Sequence, residues 1–345
     1  MVRVSKMKFS VLKSLYSPPM IVFLSLIFVS SPILEFLNQP FIANTIFMCL
    51  LYAIMAMAWN LLAGYTGYLS FGHAAFFGLG AYTTMILMLY YDITPWIGIW
   101  FGGLLTALSA LALGFPLFRL RSHWFALATI AVAETFKLVF IVWPYVGAAY
   151  GLQSPIVAPE KSLWYIQYAG PFIYIYIALI IFVIELTILY LIITSKTGYY
   201  LMAIREDEDV SKTIGINTLK YKMFSLMVSA FFTGIAGGVY VIRFRFIDPF
   251  TVFNLITISI YTAVGGIIGG VYSFIGPIIG SFVFIPLTEY VRVFIVARLP
   301  EYYGLHFFSV GILLLVISLL YPAGITGYLE RKGYLKKRIL PVKVE

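Results

Sequence analysis

FIANTIFMCLLYAIMAMAWNLLAGYTGYLSFGHAAFFGLGAYTTMILMLY, residues 41–90, decides the fold of this chain. Its two apolar runs, 41–62 and 70–90, each have the length of about 20 residues that an α-helix needs to cross the hydrocarbon core of a bilayer. Only helices and closed barrels satisfy their backbone in lipid, and neither run alternates as a barrel strand would. The stretch therefore reads as two membrane helices. Gly64, Gly67 and Gly72 interrupt it, so the second helix restarts after a break.

The pattern recurs outward in both directions. With further runs near 20–37, 95–118, 123–143, 170–194, 222–243, 253–274, 277–298 and 305–321, the chain has ten candidate spans. Hydrophobic residues make up 62% of the 345 positions and charged residues 11%, against about 45–50% and about 25% in a soluble domain. The expected fold is an all-α integral membrane protein of about ten hydrophobic segments, some of which can be half-helices or re-entrant. Residues 20–330 form one transmembrane domain, because the connecting loops are mostly too short to fold alone.

If all ten segments cross, the even-numbered connections share a side with both termini. That side collects Arg3, Lys6, Lys8, Lys13, Arg119, Arg121, Lys196, Arg205, Lys212, Lys220, Lys222, Arg331, Lys332, Lys336, Lys337, Arg338 and Lys343, 17 of the 23 basic residues. By the positive-inside rule both termini are cytoplasmic, a basic N-terminus over 1–19 and a basic tail over 331–345. The net charge of +9 calls for no nucleic acid partner, since a solvated tail beside anionic lipid accounts for it. No small-residue cleavage site closes the first run, which reads as an uncleaved helix rather than a secretory signal. Cys49 is the single cysteine and admits no internal disulfide and no cysteine-based metal site. No cofactor or metal is expected.

The longest connection on the basic side spans 195–222, and its middle, REDEDVSKTIGIN at 205–217, reads as a short surface helix. Glu206, Asp207, Glu208 and Asp209 stand at its start, where the helix dipole favours negative charge, Lys212 falls in the last turn, and Gly215 can supply a left-handed cap. Val210, Thr213 and Ile214 share a face as a small apolar stripe. Such a helix fits a groove on a partner protein; a solvated charge run between helices is the plainer alternative.

Residues 60–82, NLLAGYTGYLSFGHAAFFGLGAY, are similar almost residue for residue to branched-chain amino acid ABC transporter permeases of the LivM and LivH type. The loop resembles the coupling loop of that family at Gly198, Ala203 to Glu206, Glu208 and Gly215 to Asn217, then at Lys222, Phe224 and SAFFTGIAG (229–237), with Val210 and Ser211 where the family has paired alanines. Arg119 to Thr129, Gly147 with Gly151 and Leu152, Gly269 to Gly280, and Pro322 to Gly327 extend the match over 41–330. The resemblance implies that Arg205, Glu206, Glu208, Gly215 and Asn217 belong to an ATPase-coupling loop. It implies a second permease subunit of LivH type, two cytoplasmic ATPase subunits and an extracytoplasmic substrate-binding protein. It also implies a branched-chain amino acid as cargo, carried across a prokaryotic cell membrane; relatives in the superfamily carry urea, short amides or other amino acids.

A helix that breaks at Gly64, Gly67 and Gly72 and restarts beside Ser70 and His73 can aim its positive end at an anionic group near the bilayer midplane. Such glycines also serve close helix packing, the reading taken for Gly78 and Gly80. Gly270 and Ser273 repeat the Gly-x-x-Ser-Phe pattern of 67–71 in the second half, and paired broken spans point to a transport pathway. Gly64, Gly67, Ser70, Gly72, His73, Gly270 and Ser273 are therefore expected along that pathway.

Ionisable residues within spans default to functional suspects. Glu134 with Lys137 and Glu289 with Arg292 are three apart, so each pair can neutralise itself; Glu185 has no local partner. A secondary transporter would need unpaired intramembrane carboxylates, and only Glu185 offers one. Three scattered histidines without an H-E-x-x-H motif argue against a membrane enzyme. The chain has no G-x-x-x-x-G-K-[ST] loop, so ATP hydrolysis is expected on separate subunits.

Overall fold

The computed structural model describes residues 18–168, 170–298 and 324–332, with residues 308, 311, 312 and 315 between the last two segments. The expected span at 305–321 and both basic ends fall almost wholly outside the described residues. Among these, nine helical segments are long and apolar enough to cross a membrane. They are α1 (Pro18–Phe36), α2 (Pro40–Thr66), α3 (His73–Tyr90), α4 (Pro95–Leu117), α5 (Ser122–Val142), α7 (Phe172–Ile193), α10 (Thr218–Phe244), the composite run Pro249–Gly269 and α13 (Gly276–Arg298). The short α6 (Ser162–Tyr165) lies in the α5–α7 connection, while α8 (Lys196–Glu206) and α9 (Glu208–Thr213) lie between α7 and α10.

Helix α2 forms the centre, with every residue from Cys49 to Thr66 buried. Around it, α1, α4 and α5 turn Leu26, Phe28, Leu104, Leu108, Trp124 and Leu138 outward. In water such a surface would aggregate, whereas lipid tails are as apolar as these side chains. The inner contacts depend on small residues. A Cβ built on Gly80 would fall 2.1 Å from the Gly234 carbonyl oxygen, and one on Gly234 would fall 2.3 Å from Thr106 Oγ1. Helices α3, α4 and α10 therefore meet almost backbone to backbone, and Thr106 Oγ1 donates to the Ala230 carbonyl at 3.0 Å.

Two expected spans differ in form. The run expected at 70–90 starts as a helix only at His73. The run expected at 253–274 is a composite: α11 (Pro249–Val252), a π-helical turn (Leu255–Ile260) and α12 (Tyr261–Gly269), ending at Gly270. Side-chain caps cause the segmentation. Asp248 Oδ1 accepts from the Phe250 and Thr251 amides, and Asn254 Oδ1 accepts from the Ile256 and Thr257 amides at 3.0 Å each, so the helix starts twice within one apolar run.

At the end of the bundle away from α8 and α9, a two-residue ladder pairs β1 (Leu152–Gln153) with β2 (Phe246–Ile247). Arg245 fastens the α5–α7 connection there by donating to the Tyr168 carbonyl at 2.8 Å and to the Tyr174 hydroxyl at 3.2 Å.

Candidate functional site

The acidic run expected at the start of one helix is divided between two. Glu206 closes α8, and Asp207 breaks the chain, its Oδ1 accepting from the Asp209 and Val210 amides at 2.9 Å to cap α9. Gly215 ends α9 at φ +87°, a conformation costly for residues bearing a Cβ. The Ile216 amide then reaches the Ser211 carbonyl and the Gly215 amide the Lys212 carbonyl, both at 3.0 Å, the paired bonds of a left-handed helix end. Asn217 Oδ1 accepts from the Lys220 amide to cap α10. Val210 and Ile214 stay 56% and 69% exposed, so the apolar stripe of α9 faces away from the bundle.

The opposite side of α9 is anchored through Glu208. Its Oε2 accepts from the Tyr68 hydroxyl at 2.6 Å, and its Oε1 accepts from Lys222 Nζ at 2.8 Å and from Thr218 Oγ1 at 3.2 Å. Lys222 is 2% exposed, donates to the Tyr68 hydroxyl at 3.1 Å, and lies over the rings of Tyr68 and Phe118. A buried ammonium needs such company, since desolvation without a partner is costly. Burial alone would raise the Glu208 carboxyl, but hydrogen bonds from Lys222 and Tyr68 and the Lys222 charge outweigh it and bring it down to about 2.

Arg205, in the last turn of α8, joins two broken hairpins, the α2–α3 pair and the α12–α13 pair, at their breaks. Its Nη1 donates to the Gly64 carbonyl at 3.2 Å, and its guanidinium lies 4.8 Å from the Tyr272 ring centroid. Gly67, at φ +77°, leaves only 3.4 Å between a built Cβ and Arg205 Cγ. At Gly64 a Cβ would strike the Val271 carbonyl oxygen at 2.3 Å, so α2 rests directly on the break after α12. Asn60 Nδ2 adds a bond to the Ser273 carbonyl at 3.1 Å. A groove of about 480 Å³ opens here, with Arg205, Glu206, Gly270, Ser273 and Glu330 along its wall.

The structure thus brings the loop residues Arg205, Glu206 and Glu208 together with Gly64, Gly67, Gly270 and Ser273 at one end of the bundle. Ser70, Gly72 and His73 lie deeper. Tyr68 meets Lys222 whereas His73 Nε2 meets Ser229 Oγ at 2.8 Å, and the seven-residue step along α10 from Lys222 to Ser229 rises by about 10 Å. At the start of α3, where the sequence reading expects a helix end aimed at an anionic group, three amides have partners within the chain. The Ala74 amide donates to Ser259 Oγ at 2.8 Å, the Phe71 amide to Thr129 Oγ1 at 3.0 Å and the Gly72 amide to Ser70 Oγ at 3.3 Å, and His73 is fully buried. Neighbouring hydroxyls thus accept from the Phe71, Gly72 and Ala74 amides.

Sequence reasoning missed the roles of Tyr68, Thr218 and Tyr272. The available signal was Lys222, a cation at the start of an apolar run that had to find a buried partner. Glu134 and Lys137 pair at 3.0 Å, and Arg292 pairs with Glu289. Glu185 is buried with neither oxygen bonded among the described residues.

Comparison with known proteins supplies the family. The chain is 25% identical over 227 residues to the high-affinity branched-chain amino acid transport system permease protein LivM of Salmonella typhimurium, covering 59% of this chain and 52% of that protein. It is 26% identical over 223 residues to LivM of Escherichia coli, with the same coverage. The probable branched-chain amino acid transport permease protein LivH of Methanocaldococcus jannaschii matches at 25% over 292 residues, 80% of this chain and 89% of that one. The matched region thus spans about half the length of the two LivM relatives. No solved structure matches. Residues 41–317 fit the family model described as branched-chain amino acid transport system, permease component, and the chain, a multi-pass α-helical membrane protein, belongs to that family.

Proposed function

We propose that this chain is the membrane-spanning permease subunit of an ATP-driven importer that carries branched-chain amino acids into a prokaryotic cell. It pairs with a second permease subunit of LivH type, two cytoplasmic ATPase subunits and an external substrate-binding protein. The observation that carries this reading is the double-sided design of α9. Its outer face offers Val210 and Ile214 to a partner, while Glu208 on its inner face holds Tyr68 and Lys222, beside the Arg205 clamp on both broken hairpins.

A push on α9 therefore reaches Tyr68 in the first break directly, and through Arg205 reaches Gly64 and Tyr272. Packed elements of this kind move as units rather than deforming smoothly. ATP-driven motion of the loop would separate the hairpins at Gly64 and Gly270 and draw the start of α3 away from Ser259 and Thr129, exposing the donors at residues 71–74 to the pathway. The chain's part is mechanical, with hydrolysis on the ATPase subunits.

The test uses the complete complex of both permease subunits, the two ATPase subunits and the binding protein, reconstituted in proteoliposomes. Val210→Asp with Ile214→Asp should abolish ATP-dependent leucine uptake and release the ATPase subunits on purification, while the chain still inserts and folds. Uptake and co-purification both at the parent level would overturn the assignment of α9.

A further inference from the structure

At the far end of the bundle α2, α10, the π-helical turn and α13 enclose a cavity of about 280 Å³. Its mouth carries Asn44, which is twenty residues of α2, about 30 Å, from the Gly64 carbonyl that Arg205 holds. From there the lining face of α2 runs through Met48 and Leu51 to Met55, about 16 Å deeper. Glu289 and Arg292 sit at the mouth on α13, and Ile285 lies one turn further in. The wall between is the π-helical turn, where Tyr52 donates to the Thr257 carbonyl at 2.5 Å; such turns interrupt helices frequently at functional sites.

The chemistry of the mouth is specific. It holds one acid and one base, bonded to each other, so it is neutral as a whole and gives no net attraction to an anion or a cation. Asn44 adds a buried Oδ1 with no hydrogen-bond partner among the described residues. Below these groups Met48, Leu51, Met55 and Ile285 make much of the wall apolar, with Tyr52, Thr257 and Thr288 between them. The volume lies just under the about 300–1,000 Å³ of drug-sized ligand pockets, a size for a small solute.

We infer that this cavity is a substrate vestibule that binds a free aliphatic α-amino acid as its zwitterion. The carboxylate takes the two-pronged guanidinium of Arg292, the ammonium takes Glu289 and Asn44 Oδ1, and the alkyl side chain enters the apolar depth. The ligand exchanges the internal ion pair for two external ones, so neither charge is left unpartnered at any stage. A neutral amide or urea could not make that exchange, because it would leave Glu289 and Arg292 to each other.

The inference rests on the importer reading for its cargo, and the test separates the two. In a Cys49→Ser background, Met48→Cys places a thiol on the cavity wall of the permease, here reconstituted with its sister and ATPase subunits but without binding protein. Leucine should slow its alkylation by a membrane-impermeant thiol reagent by roughly tenfold or more, the factor carried by a charge-assisted hydrogen bond. Leucinamide, lacking the carboxylate, and 4-methylpentanoate, lacking the ammonium, should not. Glu289→Gln and Arg292→Gln should each abolish protection. The exchange Glu289→Arg with Arg292→Glu keeps an internal ion pair, and should keep the unprotected rate while losing protection. Equal protection by all three solutes, none by leucine, or full protection in the exchanged variant would overturn the vestibule even where the complex accumulates leucine. Failure of the complete wild-type complex to accumulate leucine with ATP would instead overturn the importer reading.

Discussion

Glu208 accepts from Tyr68, Lys222 and Thr218 on a helix whose other face is exposed, so this residue decides whether α9 is attached to the bundle. Lys222→Met should destabilise the purified protein by about 1.5–3 kcal/mol, the range for a hydrogen bond to a charged group. The double variant with Glu208→Gln should cost less than the sum of the two single changes, since each removes the same interaction; additive thermal-unfolding shifts would contradict the linkage. The pH dependence has a definite sign. The folded state holds the carboxyl at about 2, below its ordinary 4.5. Its contribution is therefore complete above about 4.5 and is lost as pH falls toward 2. Unfolding temperatures of the parent and Glu208→Gln should converge across that window and keep a constant gap between pH 5 and 7. Glu208 itself was legible in the sequence as part of an acidic loop. Its partner Tyr68 was not, because 140 positions separate the two and no local pattern encodes that distance.

Among the elements, helix ends marked by a glycine or asparagine after a periodic stretch were readable, and caps set inside a run of like residues were not. Gly215 and Asn217 carry local signals, and both end or start a helix as such residues do. The division at Asp207 escaped because acids run on both sides of it, and the π-helical turn at Leu255–Ile260 escaped because apolar residues run on unchanged across it. Gly215 also separates backbone from contact effects. A Cβ there meets no atom within 4 Å, so substitution acts through the left-handed conformation, which costs roughly 1–2 kcal/mol for a residue other than glycine. Gly215→Val should unwind the end of α9 and leave ATP hydrolysis running without leucine uptake, whereas Gly215→Asn, which tolerates that conformation, should keep both. Coupled uptake at the parent rate in Gly215→Val would remove α9 as the coupling element.

Across the whole molecule, what the sequence established was the solvent of the fold, and what it could not establish was which spans touch. The 62% apolar composition marks a lipid environment in any order of helices, while the adjacency of α3, α4 and α10 depends on Gly80, Gly234 and Thr106 meeting in space. Sidedness joins the two. Helix α10 has 27 residues, about 40 Å, enough to cross a hydrocarbon core of about 30 Å. Lys222 and α9 are at its start, and β2 follows its end, pairing with the strand at Leu152–Gln153. The α8–α9 loop and the α5–α7 connection therefore lie on opposite faces of the membrane. Arg119, Arg121, Lys196, Arg205, Lys212 and Lys220 all belong to the loop side, and by the positive-inside rule we propose that this side is the cytoplasmic one. Ile156 is 92% exposed and Val210 56% exposed, so each can report on its face. In the Cys49→Ser background, an impermeant maleimide added to intact cells should label Ile156→Cys and leave Val210→Cys untouched until the membrane is opened. The reverse pattern would place α9 outside, away from any ATPase and from the ATP that the mechanism requires.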